Sequence, residues 1–349
     1  MTRSKIILLL ALYFFAVESK AQTIKHGNVV TEHLVSTILK ENKIGIDVNR
    51  MVKIYLPPGY ESSRKSYPVV YLLHNMLGGV SEVFENNLIV NLMERGFANN
   101  VVKEFILVAA DYSSPTIGSM YENSPVSGRW IDFTVNELVP FIDGKFRTIR
   151  NRESRAVTGQ FFGGRGALEM AMFHAEIFSV AYALHPVATG NGYLPWSIFP
   201  MDWKKTFAAK TFDDVGSKIF VAVCQAYLPN VNRPPFYCDF FMEPDADGNP
   251  KLIPGNVQKA KRGFLLEESL SESASNLQKM RGLALDWGRF DTNQDHVYAN
   301  QTFSRKLNDL AIAHEAEEYN GDPWSLVWTD NGRFYSRVLP FFSSHLVFE

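Results

Sequence analysis

The sequence predicts an α/β protein whose mostly parallel sheet is covered by helices on both faces. Three observations predict it. Short, continuously apolar runs at Val69–Leu73, 105–110 and Val180–Leu184 have the composition of strands buried on both faces. Segments with apolar residues at helical spacing, such as 83–95, lie between such runs, and strands alternating with helices fold into a covered parallel sheet. A β-type run at 155–158 enters a corner framed by Gly159 and Gly163, and helix-forming residues 167–172 follow it.

The elements follow in chain order. Arg3 and Lys5 precede an apolar run at 6–17, and Ser19-Lys20-Ala21 resembles a small-residue cleavage site, so residues 1–21 read as a signal peptide. Residues 22–349 are expected to form one domain. Strands are expected at 29–39 and 51–56, the second ended by Pro57 and Pro58, and a helix at 130–146 interrupted at Pro140. After the corner and its helix, strands are expected at 180–184, 218–224, 283–288 and 314–319, with helices at 302–310 and 334–348. Residues 225–270 break the rhythm with prolines, glycines and mixed aromatics, the composition of a lid or binding loop. Within them 245–250 is an Asp-rich turn.

Composition narrows the function classes. The 349 residues are 46% apolar and 21% charged, with a formal charge of −2, so no basic field argues for a nucleic-acid partner. After the leader no stretch is long enough for a membrane span. Export would place Cys224 and Cys238 in an oxidising compartment, where they could pair across a short loop or remain two buried thiols. The oligomeric state is not legible.

The corner carries the chemistry. Gly159-Gln160-Phe161-Phe162-Gly163 has the layout G-x-S-x-G of a nucleophile elbow, with Phe161 where the serine would stand. Phenylalanine has no atom that attacks a carbonyl. The blocks 52–60, 67–74, 136–143 and 157–168 together resemble the putative esterase family, which includes esterase D type enzymes, feruloyl esterases and mycolyltransferase antigens. The likeness runs from about residue 52 to about residue 342. It implies an α/β-hydrolase fold whose active members use a Ser-His-Asp/Glu triad.

Carried over position by position, the resemblance exposes departures. His74-Asn75 matches a His-Gly pair near the oxyanion hole, with Asn75 replacing glycine. Asp291 is the foremost candidate for the acid, with Asp286 second. Pro323 falls at the histidine position, and a one-residue slip would select Asp322 instead. Nucleophile and base are both missing, which removes the covalent route.

Two function classes follow. The first is a secreted or periplasmic pseudo-esterase that binds a carbohydrate or acyl-type ligand, or a partner, without turnover. The second is a hydrolase of altered mechanism, in which His296 with Asp291 or Asp295, plus Asp322, activates water. The same groups have the chemistry of metal ligands, but no metal and no cofactor is assigned. Ligand contacts are expected from His74, Asn75, Gln160, Phe161, Phe162 and Arg165, and from an aromatic platform of Tyr121, Trp130 and Trp324. His185, after a strand, is a second histidine that could approach the pocket, though a hydrogen-bonded structural role is the commoner one.

Overall fold

The computed structural model describes residues 25–76, 78–192, 194 and 202–349, so the expected leader lies outside the described residues. Eight strands form one sheet. They are β1 (Asn28–Val35), β2 (Asn49–Leu56), β3 (Val69–Leu73), β4 (Ile106–Ala110), β5 (Arg155–Gln160), β6 (Val180–Leu184), β7 (Gly282–Gly288) and β8 (Glu315–Tyr319). Their order is β1-β2-β4-β3-β5-β6-β7-β8. Pairing is antiparallel for β1–β2 and β2–β4 and parallel for every other neighbour.

Strands β3 to β7 are buried along their whole length, because helices cover both faces and no face is left for polar alternation. The principal helices are α1 (Leu88–Ala98), α2 (Val139–Lys145), α3 (Phe162–Phe173), α4 (Lys218–Tyr227), α5 (Pro254–Phe264), α6 (Gln294–Asp309) and α7 (Leu339–His345). One apolar cluster joins Tyr71, Val157 and Leu285 to Met170 of α3, and another joins Val70, Ala156 and Ala284 to Leu92 of α1 and Phe342 of α7. The two clusters hold alternate residues of the same strands.

Several expectations are corrected. Residues 218–224, expected as a strand, belong to α4, whose Ser217 side chain accepts the Phe220 N–H as an N-cap. Seven of the ten residues of α4 are buried, the unbroken run 220–226, and a continuous buried run carries no period that separates helix from strand. Helical backbone runs from Trp130 to Lys145, and the interruption expected at Pro140 is present as a π-turn at Phe133–Leu138 directly before it, which accommodates the missing N–H. Residues 225–270 are less irregular than expected. They contain a short hairpin, Met242–Pro244 with Pro250–Leu252, and α5, and they share an apolar cluster with Met76, Met120 and Ala188. Cys224 and Cys238 are buried in that cluster as free thiols. No helix among the described residues is long and apolar enough to cross a membrane.

Candidate functional site

The register of the central strands builds the site. Gly159 of β5 lies opposite Leu73 of β3 and Ala183 of β6, so the ends of all three strands meet where the chain turns into α3. The turn is tight. A Cβ on Gly159 would lie 2.4 Å from the Gly163 carbonyl carbon, and one on Gly163 would lie 2.0 Å from the Leu73 carbonyl oxygen. Phe161 sits at the apex with φ 55° and ψ −117°. Such a conformation costs a non-glycine residue about 1–3 kcal/mol and is tolerated where the surroundings enforce it. Its N–H donates to the Leu184 carbonyl at 3.1 Å, and its carbonyl accepts from the Arg165 N–H at 2.9 Å.

The Phe161 ring is enclosed by other rings. Trp324 stacks on it with centroids 4.1 Å apart and planes 10° apart, and His185 stacks at 5.1 Å and 26°. His296 meets it edge-on at 5.7 Å. Aromatic surface therefore fills the space at the apex of the turn.

Asp291 gathers the two histidines. Its Oδ2 accepts Nε2–H of His185 at 2.8 Å and Nδ1–H of His296 at 2.7 Å, while Oδ1 accepts the Asn293 N–H at 2.8 Å. Burial disfavours the charged carboxylate, yet these hydrogen bonds outweigh it and hold Asp291 well below the usual carboxylate range. His185 is fully buried, and burial lowers its pKa against the opposing pull of Asp291.

Both ring nitrogens of His74, His185 and His296 are engaged. His185 Nδ1 accepts the Gly288 N–H at 3.0 Å, which fixes the neutral Nε2–H tautomer. His296 Nε2 pairs with the Asn293 side-chain amide at 3.0 Å. His74 gives Nδ1–H to the Asn75 carbonyl at 2.8 Å and accepts the Tyr112 N–H on Nε2 at 2.9 Å. Burial lowers its pKa as well. All three imidazoles are thus held in fixed orientations. His185, Asp291 and His296 are also close enough for one metal ion, with donor atoms within 4.8 Å of one another. The backbone bond to His185 Nδ1 opposes that use, because it leaves a proton, not a lone pair, on Nε2.

The remaining candidates divide. Gln160 is buried and spans the site, giving Nε2–H to the Pro323 carbonyl at 2.6 Å and accepting Trp328 Nε1–H on Oε1 at 2.8 Å. Asp322 is turned to its own loop: the Ser325 hydroxyl and the Trp324 and Ser325 N–H groups bond its carboxylate and lower its pKa. Asp295 accepts the Asn191 amide at 3.3 Å. Asp286 lies deeper, bound by Tyr182 and Arg333 at 2.9 and 2.8 Å. Phe162 packs towards Phe264.

Three expected ligand contacts are corrected. Tyr121 and Trp130 are core residues, each 1% exposed, and the Tyr121 hydroxyl donates to the His74 carbonyl. Arg165 is fully buried, ion-paired with Glu169, and donates to the Met120, Gly263 and Phe264 carbonyls. Its donors tie α3 to α5, where a carboxylate ligand has no access. Trp328 and Asn293, which no sequence pattern marked, belong to the site.

Beside the corner lies a cleft of about 480 Å³ whose lining includes Asn75, Glu82, Glu85, Gln160, Trp324 and Trp328.

Comparison with known proteins agrees with this architecture. The family model described as Putative esterase matches residues 45–229, just over half of the chain. The chain belongs to that family. An esterase of Mycobacterium tuberculosis (strain H37Rv) is 33% identical over 140 residues, covering 38% of this chain and 28% of its own. The match thus spans under a third of that relative's length. An endo-1,4-beta-xylanase/feruloyl esterase of Xylanibacter ruminicola is 26% identical over 154 residues, covering 42% of this chain and 20% of its own. A solved ferulic acid esterase superposes with a TM-score of 0.63 at 20% identity, over 91% of this chain and 98% of the other. An S-formylglutathione hydrolase of Staphylococcus aureus gives 0.56 at 13% identity, over 90% and 98%. The fold of this esterase-family chain is the α/β-hydrolase fold.

Proposed function

We propose that this esterase-family protein is a pseudo-esterase: an exported α/β-hydrolase scaffold that binds a carbohydrate or acyl-type ligand without cleaving it. The observation that carries the reading is Phe161 at the elbow apex, its ring stacked on Trp324 at 4.1 Å. An acyl carbonyl finds neither an attacking atom nor an empty seat there. The burial of His74 and His185, each with both nitrogens bonded to protein groups, supports the reading, and His296 would act as a base only by exchanging its Asn293 partner for the proton donor. The basic and apolar pattern of residues 3–17 supports export. The test is turnover of p-nitrophenyl acetate and methyl ferulate by purified protein. The reading expects none above buffer, and a rate that follows enzyme concentration would reject it.

A second reading rests on the 2.7 Å bond between His296 and Asp291. If Asn293 released Nε2, this dyad could activate water at an ester. Turnover lost in His296→Ala but insensitive to serine-directed reagents would favour it.

A further inference from the structure

The cleft beside the corner has a chemistry of its own. Its indole wall is held in place: Trp328 Nε1–H is fixed by Gln160 Oε1 at 2.8 Å, and Trp324 has one ring face against Phe161 while the residue remains 49% exposed. The same cleft is lined by two exposed carboxylates, Glu82 and Glu85, with no ion pair to either among the described residues. No lysine or arginine is among the described residues that line it, and its one imidazole, His74, gives Nδ1–H to a carbonyl and accepts an N–H on Nε2, as a neutral ring does. The Asn75 side-chain oxygen, at the same cleft, is buried with no hydrogen-bond partner among the described residues.

Two indoles and two uncompensated carboxylates lining one cleft favour one class of guest. A cation gains from the electron-rich ring faces and from the carboxylates together, whereas an anion or a neutral sugar gains only part of this. We propose that the cleft binds a ligand carrying an organic ammonium group. The inference rests on the reading of the protein as a binder and names the chemistry of what it binds. The blocked corner and the open cleft share Trp324, so the ring that stacks on Phe161 also forms part of the wall for the guest.

The experiment uses the full chain, a charged probe and its neutral isostere. Choline and 3,3-dimethylbutan-1-ol have nearly the same shape and differ in charge, and intrinsic tryptophan fluorescence reports both titrations. Choline should bind about tenfold tighter than the alcohol, the discrimination expected of cation–π contact with partly exposed carboxylates. In Glu82→Gln/Glu85→Gln, whose changes are on the surface, choline should weaken about fivefold while the alcohol is unchanged. Added salt should weaken choline alone. Equal affinities for the two probes, no saturable choline binding, or an unchanged double variant would overturn the assignment. Ester turnover is read separately, so an inert protein that ignores choline loses only this inference. An active one that binds choline loses only the pseudo-esterase reading.

Discussion

Phe161 and Trp324 lie face to face, 4.1 Å between centroids and 10° from parallel, one at the elbow apex and the other on the loop after β8. The resemblance to the esterase family implies a nucleophile on the first of these loops and a base on the second. Here the loops bring two aromatic rings together. Trp324→Ala should therefore cost stability, by about 1 kcal/mol beyond the area it exposes, and should gain no esterase activity. Denaturant unfolding with a parallel assay checks both, and activity appearing in this variant would mean that the stack merely covers a working site.

Restoring the serine alone is not enough. Phe161→Ser places a hydroxyl at the apex, but His185 has both nitrogens bonded and His296 Nε2 is taken by Asn293. The variant is expected to stay unlabelled by a fluorophosphonate and to lose about 1 kcal/mol through the missing stack. Labelling within minutes would show that one of these imidazoles is free to serve.

Asp291 is the tie between the two histidines. Asp291→Ala leaves the buried Nε2–H of His185 without an acceptor, and an orphaned buried donor costs about 1–3 kcal/mol. Urea unfolding should register a loss in that range. A neutral result would mean that His185 finds another partner.

The titration of these groups sets a pH dependence. His74 and His185 have folded pKa values below their usual 6.5, so the stability they contribute is complete above that value and erodes as pH falls beneath it. Asp291 is depressed below 3.8, so its contribution is present above that value and is lost as pH falls further, through the folded value. The Tm should hold from pH 8 to about 7, decline below about 6.5 and decline again below about 4. His185→Gln should shrink the first decline, and a Tm that rises from pH 7 to 5 would contradict the neutral assignment.

Much of this was legible in the sequence, for identifiable reasons. The two-face-buried strands announce themselves as apolar runs, and Gly159 and Gly163 mark the corner because no other residue fits beside the Leu73 carbonyl. The contact between His185 and Asp291 was not legible, since the two are far apart in sequence and meet only through the β6–β7 register. Tyr121, Trp130 and Arg165 lie in segments whose polarity gives no sign of which side faces the core. Lys218–Tyr227 has helix and strand signatures superposed, because a continuous buried run erases the period. Trp328 and Asn293 belong to no motif, and only the folded loops bring them to the corner.

The most direct test is the intact mass of the purified protein after prolonged exposure to a fluorophosphonate. An unmodified mass is the predicted result, with Phe161 at the apex offering nothing to phosphonylate. A stoichiometric adduct mapped to a serine at this corner would contradict the account.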